Sequence, residues 1–183
     1  MRRRACLALL AAAFALPAVE VWADEAPAEP GGYRLDNYKA PTPRTLRGAT
    51  VVGTPRAYDL WQAKGIVFID VLPHPPKPAD LPAGTLWRDP PHETIGGAAW
   101  LPNVGQGALA ATTEDYFKRN LADLTGGDRD KPLLFFCRRD CWMSWNAGKR
   151  ALGYGYRHIY WYSDGVDGWK AGALPMETVQ PRP

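Results

Sequence analysis

The sequence predicts an α/β domain with a central, mostly parallel sheet flanked by helices on both faces. Three observations carry this. Short, continuously apolar runs such as IVFIDVL (Ile66 to Leu72) and LLFF (Leu133 to Phe136) suit strands buried on both faces. Helical spacing of apolar residues alternates with these runs along the chain, which implies right-handed crossovers and a largely parallel sheet. The 183 residues are 46% hydrophobic and 22% charged, the composition of one globular domain able to bury its own core.

The first 23 residues stand apart. Arg2, Arg3 and Arg4 precede the apolar run Ala5 to Pro17, and Val21-Trp22-Ala23 offers small residues at a cleavage site. This reads as a secretory signal peptide, because the apolar stretch is too short to span a bilayer. It would take Cys6 with it. Cleavage would also remove three Arg and Glu20, lowering the net charge from +3 to +1. The basic balance therefore gives no support to nucleic-acid binding, and no membrane anchor is expected in the mature form. An exported protein with two remaining cysteines suggests an oxidising compartment and either a disulfide or a dedicated redox or thiol function for the pair.

Residues 24–49 read as an extended N-terminal segment: Pro- and Gly-rich at first, then mixing aromatics and prolines in YRLDNYKAPTPRTLRG. The domain proper is expected over 50–183. Thr54 to Lys64 predicts a helix with Thr54 as N-cap, Pro55 at its first position and Gly65 beyond its end. Ile66 to Leu72 follows as a buried strand. Pro73 to Pro91 holds seven prolines and reads as a long, stiff loop. Gly96 to Pro102 predicts a strand, and Thr112 to Leu124 a helix with Tyr116, Phe117, Leu121 and Leu124 on one face. Leu133 to Phe136 is a strand, Trp145 to Leu152 a helix closed by Gly153, and His158 to Tyr162 a further strand. Ser163-Asp164-Gly165 and Asp167-Gly168 read as turns.

Functional groups of such a sheet gather beyond the carboxyl ends of its strands. Cys137 sits there, directly after Phe136. With a helix expected from Trp145 and Ser144 as its N-cap, residues 138–143 should curl with their amides toward Cys137. The helix N-terminus, those amides, Arg138 and Arg139 would then lower the Cys137 thiol pKa from about 8.5 toward values as low as about 3.5. Arg138 and Arg139 would hold an anion, Trp142 would shield the site, and Asp140 offers a proton partner. Cys141, four residues on, could attack an adduct on Cys137 as a resolving thiol. A structural disulfide across so small a loop would stabilise only weakly. Asp70, at a strand end, reads as a loop-ordering acceptor.

In order, IDV, HETIGGAAWLP, LLFFC followed by a loop and Ser144, then DGW and GALP resemble the rhodanese-like domain over residues 50 to 176. Asp70, His92, Ile95 to Ala98, Cys137, Ser144, Trp169 and Pro175 carry that resemblance. CRRDCW, YRLDNYKAPTP and YWYSDGVDGWKAGALP are similar to the CXXCW-motif proteins associated with PQQ-dependent catabolism. The resemblance implies a rhodanese fold with an altered active loop, export, and support of periplasmic quinoprotein alcohol oxidation. PQQ itself enters only through that association, and a quinoprotein dehydrogenase is the implied partner. The loop departs from the sulfurtransferase pattern by one extra residue, and Leu72 stands where an arginine follows the strand Asp-Val. Sulfur transfer and thiol–disulfide redox chemistry on a small sulfur or thiol substrate both remain open.

Two binding alternatives complete the expectations. Cys137 and Cys141 could hold a soft metal such as Cu(I) if His74, His92 or His158 approached. Trp142, Trp145, Tyr160, Trp161, Tyr162 and Trp169 could form an aromatic recognition surface, although core packing is the default for such residues. Trp142 also stands where covalent haem attachment needs His.

Overall fold

The computed structural model describes residues 26–74, 77–86 and 90–183. The signal-peptide reading and Cys6 lie outside these residues, as does part of the proline-rich loop. Five strands form the central sheet: β1 (Ala49–Val52), β2 (Val67–Asp70), β4 (Ala99–Trp100), β5 (Leu133–Phe136) and β6 (Ile159–Tyr162). Their order is β1-β6-β5-β2-β4, and every neighbouring pair is parallel. Two short strands, β3 (His92–Ile95) and β7 (Met176–Val179), pair antiparallel beside it. The helices are α1 (Thr54–Ala63), α2 (Ala111–Thr125), α3 (Trp142–Gly153) and α4 (Gly165–Ala171). The expected α/β class, with a mostly parallel sheet flanked on both faces, is the observed one.

The alternation of side chains along β5 explains its unbroken apolarity. Leu133 and Phe135 pack with Phe117 and Leu121 of α2 and Met143, Ala147 and Ala151 of α3. Leu134 and Phe136 point the other way, into a core with Ala57 of α1 and Val166 and Trp169 of α4. Both faces are covered, so both residue sets must be apolar. Strand β6 follows the same logic: Ile159 and Trp161 face α3, while Tyr160 and Tyr162 face α1 and α4.

That double coverage corrects the aromatic-surface expectation. Trp142, Trp145, Trp161, Tyr162 and Trp169 are all buried, and Tyr160 is partly so. Alternating YWY residues do face opposite sides, but each side has its own core.

Several boundaries differ from expectation, each for a local reason. Gly53, not Thr54, is the N-cap of α1, because the Thr54 hydroxyl is engaged with Tyr162 Oη at 2.8 Å and Asp164 at 3.2 Å. The helix ends on Lys64 in the left-handed region (φ 58°). The strand expected over Gly96 to Pro102 is only Ala99–Trp100, since Gly96 and Gly97 turn. Most consequentially, α3 begins at Trp142, with Cys141 rather than Ser144 as its N-cap.

Residues 26–48 form an extended strap across α3. Arg34 N–H donates to Asn146 Oδ1 at 2.9 Å, and Asn146 Nδ2 donates back to the Arg34 carbonyl at 2.8 Å. Trp142 Nε1 and Trp145 Nε1 donate to the carbonyls of Pro41 and Thr45, each at 3.0 Å. The strap buries Leu46 against Trp142, Trp145 and Trp161. These partners make the strap an integral part of the fold, because each satisfies a buried polar group that would otherwise carry a desolvation cost.

Candidate active site

The site lies at the carboxyl edge of the sheet, where β2 and β5 end side by side. Asp70 is in register with Phe136, and Val71 N–H donates to the Phe136 carbonyl at 3.1 Å. The chain leaves β5 through Cys137, turns within residues 138–140, and enters α3 at Cys141. Three contacts shape this turn. The Cys137 carbonyl accepts from Val166 N–H at 2.9 Å, and Arg138 bridges to Gly165. Asp140 adopts the left-handed conformation (φ 54°) and its carbonyl accepts from Ala40 N–H at 3.0 Å. Lys39 then bridges to Cys141, and Trp142 N–H donates to the Tyr38 carbonyl at 2.8 Å. The strap thus satisfies the first orphan amide of α3, and the helix can start a turn earlier than Ser144. Gly165 is required here. Its φ is +54°, and an added Cβ would sit 2.4 Å from the Cys137 carbonyl oxygen.

This early start places the two thiols differently from expectation. Both are free thiols. Cys137 is fully buried in the core against α2 and α3. Burial pushes its thiol well above the usual range, and its hydrogen bond to Cys141, the Cys141 charge and the Asp70 carboxylate act in the same direction. Cys141 is only partly buried. The hydrogen bond from the Cys137 thiol, helped by the amides of Met143, Arg138 and Ser144, outweighs desolvation and brings it down to about 7. Most of the amide field expected at Cys137 therefore falls on Cys141, with the Arg138 amide acting on both. Cys141 is thus the more acidic of the two thiols, and Cys137 the buried, less acidic one.

Cys141 lines a cleft of about 230 Å³ with Tyr38, Lys39, Leu72, Pro73, Arg138, Arg139 and Met143. Two adjoining clefts, of about 400 and 420 Å³, share Leu72 and Arg138 with it and add His92. Arg138 is exposed and has no acidic partner among the described residues. Arg139 differs: its guanidinium lies 3.6 Å from Asp164, and its amide donates to Asp167 at 3.0 Å. Trp142 is packed under the strap with the Arg34 guanidinium 5.4 Å over its ring, so it holds the strap rather than covering the thiols. The Asp140 side chain is exposed, and what this residue contributes is its backbone. Ser144 lies inside the first turn of α3, where Oγ donates to the Cys141 carbonyl at 3.2 Å and accepts from Trp161 Nε1 at 3.0 Å.

Asp70 forms a second constellation. It is fully buried and accepts from Leu72 N–H at 2.8 Å, Thr94 Oγ1 at 2.6 Å and His92 Nε2 at 2.8 Å. The His92 ring stacks on Trp100 with centroids 3.8 Å apart. Asp70 orders the β2–β3 junction as a loop-ordering acceptor should. None of the three histidines joins the thiols as a ligand: His92 is held by Asp70, His74 stacks on Trp100 at 5.7 Å, and exposed His158 lies 3.7 Å from Asp130. Among the described residues no group of three or more His, Cys, Asp or Glu could hold a metal ion. The Cu(I) expectation thus lacks its third ligand from histidine. Nor, among these residues, is any helix long and apolar enough to cross a membrane.

Tyr38, Lys39, Met143 and Thr94 were not singled out by sequence. Tyr38 and Lys39 lie in the YKAP of the strap, where an extended run beside the cysteine loop was the only available signal.

No family model matches the chain, and no curated protein matches it. Among solved structures it is similar to the polysulfide-sulfur transferase homodimer from Wolinella succinogenes, at 22% identity over 72% of this chain and 80% of that one, with a TM-score of 0.46. It is also similar to a full-length protein from Lactobacillus plantarum, at 19% identity over 70% and 88% of the two chains, TM-score 0.43. A complex of EanB with hercynine matches at 21% identity and TM-score 0.49 over 78% of this chain, which spans 34% of that one.

Proposed function

We propose that the chain is a rhodanese-like thiol protein in which Cys141 attacks a small sulfur compound and Cys137 resolves the product. The asymmetry of the pair carries this reading: one sulfur is held toward the thiolate at a cleft wall, the other is buried, protonated and hydrogen-bonded to it. The Cys141 thiolate attacks one sulfur of a disulfide R–S–S–R, forming a mixed disulfide and expelling R–S⁻. Cys137 then gives up its proton to solvent or the departing thiolate and attacks the Cys141 sulfur. The second R–S⁻ leaves, and an intramolecular disulfide remains. Two electrons pass from the dithiol to the substrate, which ends as two thiols.

The second step draws on the first. Once Cys141 is in a neutral mixed disulfide, its charge no longer opposes ionisation of Cys137. Two of the causes that hold the buried thiol protonated are removed at the moment its thiolate is needed. Premature reaction of the buried sulfur is avoided by the same device.

The setting belongs to the proposal and rests on the motif resemblance: export by the signal peptide, work in the periplasm, and support of PQQ-dependent alcohol oxidation beside a quinoprotein dehydrogenase. Fractionation of the expressing cells should recover the processed chain in the periplasmic extract, and recovery only in the cytosol would remove this part.

The chemical part is tested by alkylating the reduced, folded protein with iodoacetamide across pH and mapping the modified residue. Cys141 should react first, with a midpoint near 7. In Cys137→Ser the mixed disulfide on Cys141 should accumulate. Faster modification of Cys137, or a Cys141 midpoint at the ordinary thiol value of about 8.5, would overturn the assignment.

A further inference from the structure

The cleft that holds Cys141 has an unbalanced charge. Among the described residues Lys39, Arg138 and Arg139 line it, and no carboxylate does. Arg139 is offset by Asp164 at 3.6 Å. Lys39 and Arg138 have no acidic partner among the described residues. Among the described residues the adjoining cleft of about 420 Å³, lined by Leu72, Pro73, Pro90, Pro91, His92, Trp100 and Arg138, likewise has no carboxylate. The cleft of about 400 Å³ does contain two acids, but both are engaged: Glu93 pairs with Lys170 at 3.0 Å, and Asp167 accepts the Arg139 amide at 3.0 Å. Elsewhere on the surface some cations are paired, as Lys118 with Glu114 at 2.7 Å and Arg157 with Asp130, while others such as Lys64 and Arg129 lie over aromatic rings. What sets the Cys141 cleft apart is that two such cations, one from the strap and one from the cysteine turn, line it together beside a thiol.

We infer that the substrate taken at Cys141 is a low-molecular-weight disulfide whose halves carry a carboxylate a few bonds from the sulfur. This rests on Cys141 being the attacking sulfur. The apolar floor of Leu72, Pro73 and Met143 accepts the short carbon–sulfur chain. Arg138, standing where the three clefts meet, presents a planar fork that matches a carboxylate, and Lys39 adds a point charge from the opposite lip. The arrangement favours reaction twice. It raises the local concentration of an anionic disulfide, and it stabilises the anionic thiolate that departs as the Cys141–substrate bond forms. The balance is that of the exchange above, with a carboxylate-bearing thiol leaving at each step.

The experiment measures mixed-disulfide formation by reduced full-length protein with three symmetric disulfides of similar size. These are dithiodipropionate (anionic), hydroxyethyl disulfide (neutral) and cystamine (cationic), each rate being divided by that for a free small thiol. The anionic compound should lead the neutral one about tenfold, with the cationic one slowest, and the spread should shrink at high salt. Arg138→Gln should reduce the anionic-to-neutral ratio to about twofold, Lys39→Gln should reduce it less, and Arg138→Lys should retain most of it. Equal normalised rates, or an unchanged ratio in Arg138→Gln, would overturn the inference and leave the attacking role of Cys141 standing. If none of the three reacts while iodoacetamide still modifies Cys141, both the exchange chemistry and the substrate class fall.

Discussion

Asp70 and the cysteine pair sit one strand apart at the same edge of the same sheet, and they handle burial in opposite ways. The Asp70 carboxylate is enclosed and fully served, with an amide, a hydroxyl and an imidazole directed at its two oxygens. Cys137 and Cys141 have chiefly each other, plus backbone amides that act mostly on Cys141. A polar group whose every lone pair is occupied fixes the chain and has nothing left to offer a ligand. A pair whose members differ in protonation and exposure holds reactivity ready. The difference assigns architecture to one constellation and chemistry to the other.

The largest effect that would sharpen this contrast is on rate. Cys141→Ser should lower disulfide exchange by about 1000-fold or more, since the nucleophile itself is lost. At pH 6 its urea midpoint should move little, because the replaced sulfur is only partly buried. Exchange persisting within about tenfold of wild type would place the attacking group elsewhere.

Asp70→Ala should do the reverse. Thr94 and His92 would lose their common acceptor inside the fold, at a cost of about 3 kcal/mol measured by urea unfolding. Alkylation of Cys141 in the folded variant should stay within about threefold of wild type. A variant that unfolds normally but whose Cys141 no longer reacts would show that the two constellations act as one unit.

Proton linkage offers a subtler check. Cys141 is an acid whose folded pKa, about 7, lies below its unfolded value near 8.5. Its charged form therefore adds stability that is complete above the unfolded value and is lost as pH falls through 7. The stability gap between wild type and Cys141→Ser should widen from pH 6 to pH 8.5. The full shift would amount to about 2 kcal/mol, and solvent screening at this partly exposed position reduces the expectation to about 1 kcal/mol. A gap that narrows over the same interval would contradict a thiolate at Cys141.

The sheet was largely legible in the sequence, whereas the details of the site were not. LLFF and the helix around Phe117 and Leu121 announce themselves because burial on two faces, or on one helical face, leaves a periodic trace. Strand β1 is a four-residue edge strand, and β3 and β7 are equally short with little apolar contrast, so their pairing depends on contacts some eighty residues apart. Helix α4 carries Gly165 and Gly168 and reads as turn chemistry, yet both glycines are needed there: a Cβ on Gly168 would lie 2.5 Å from the Asp164 Cβ. The Cys137–Cys141 spacing marked the site itself. Which cysteine becomes the thiolate turned on where α3 begins, and that is set by Tyr38 and Asp140. A strap about one hundred residues away in sequence leaves no periodic signal at the loop it caps.

Ser144 offers the smallest effect and separates its side chain from its backbone. The hydroxyl accepts the buried Trp161 Nε1–H at 3.0 Å and donates to the Cys141 carbonyl at 3.2 Å. Ser144→Ala orphans that indole donor, with an expected loss of about 1 kcal/mol in thermal or urea unfolding. The lowering of the Cys141 thiol acts through the Ser144 amide, which alanine retains. The alkylation midpoint should therefore stay near 7 while stability falls. An upward move of a full unit would transfer the control of Cys141 from the helix backbone to the hydroxyl, and the contrast with Asp70, whose partners include two side chains, would lose its basis.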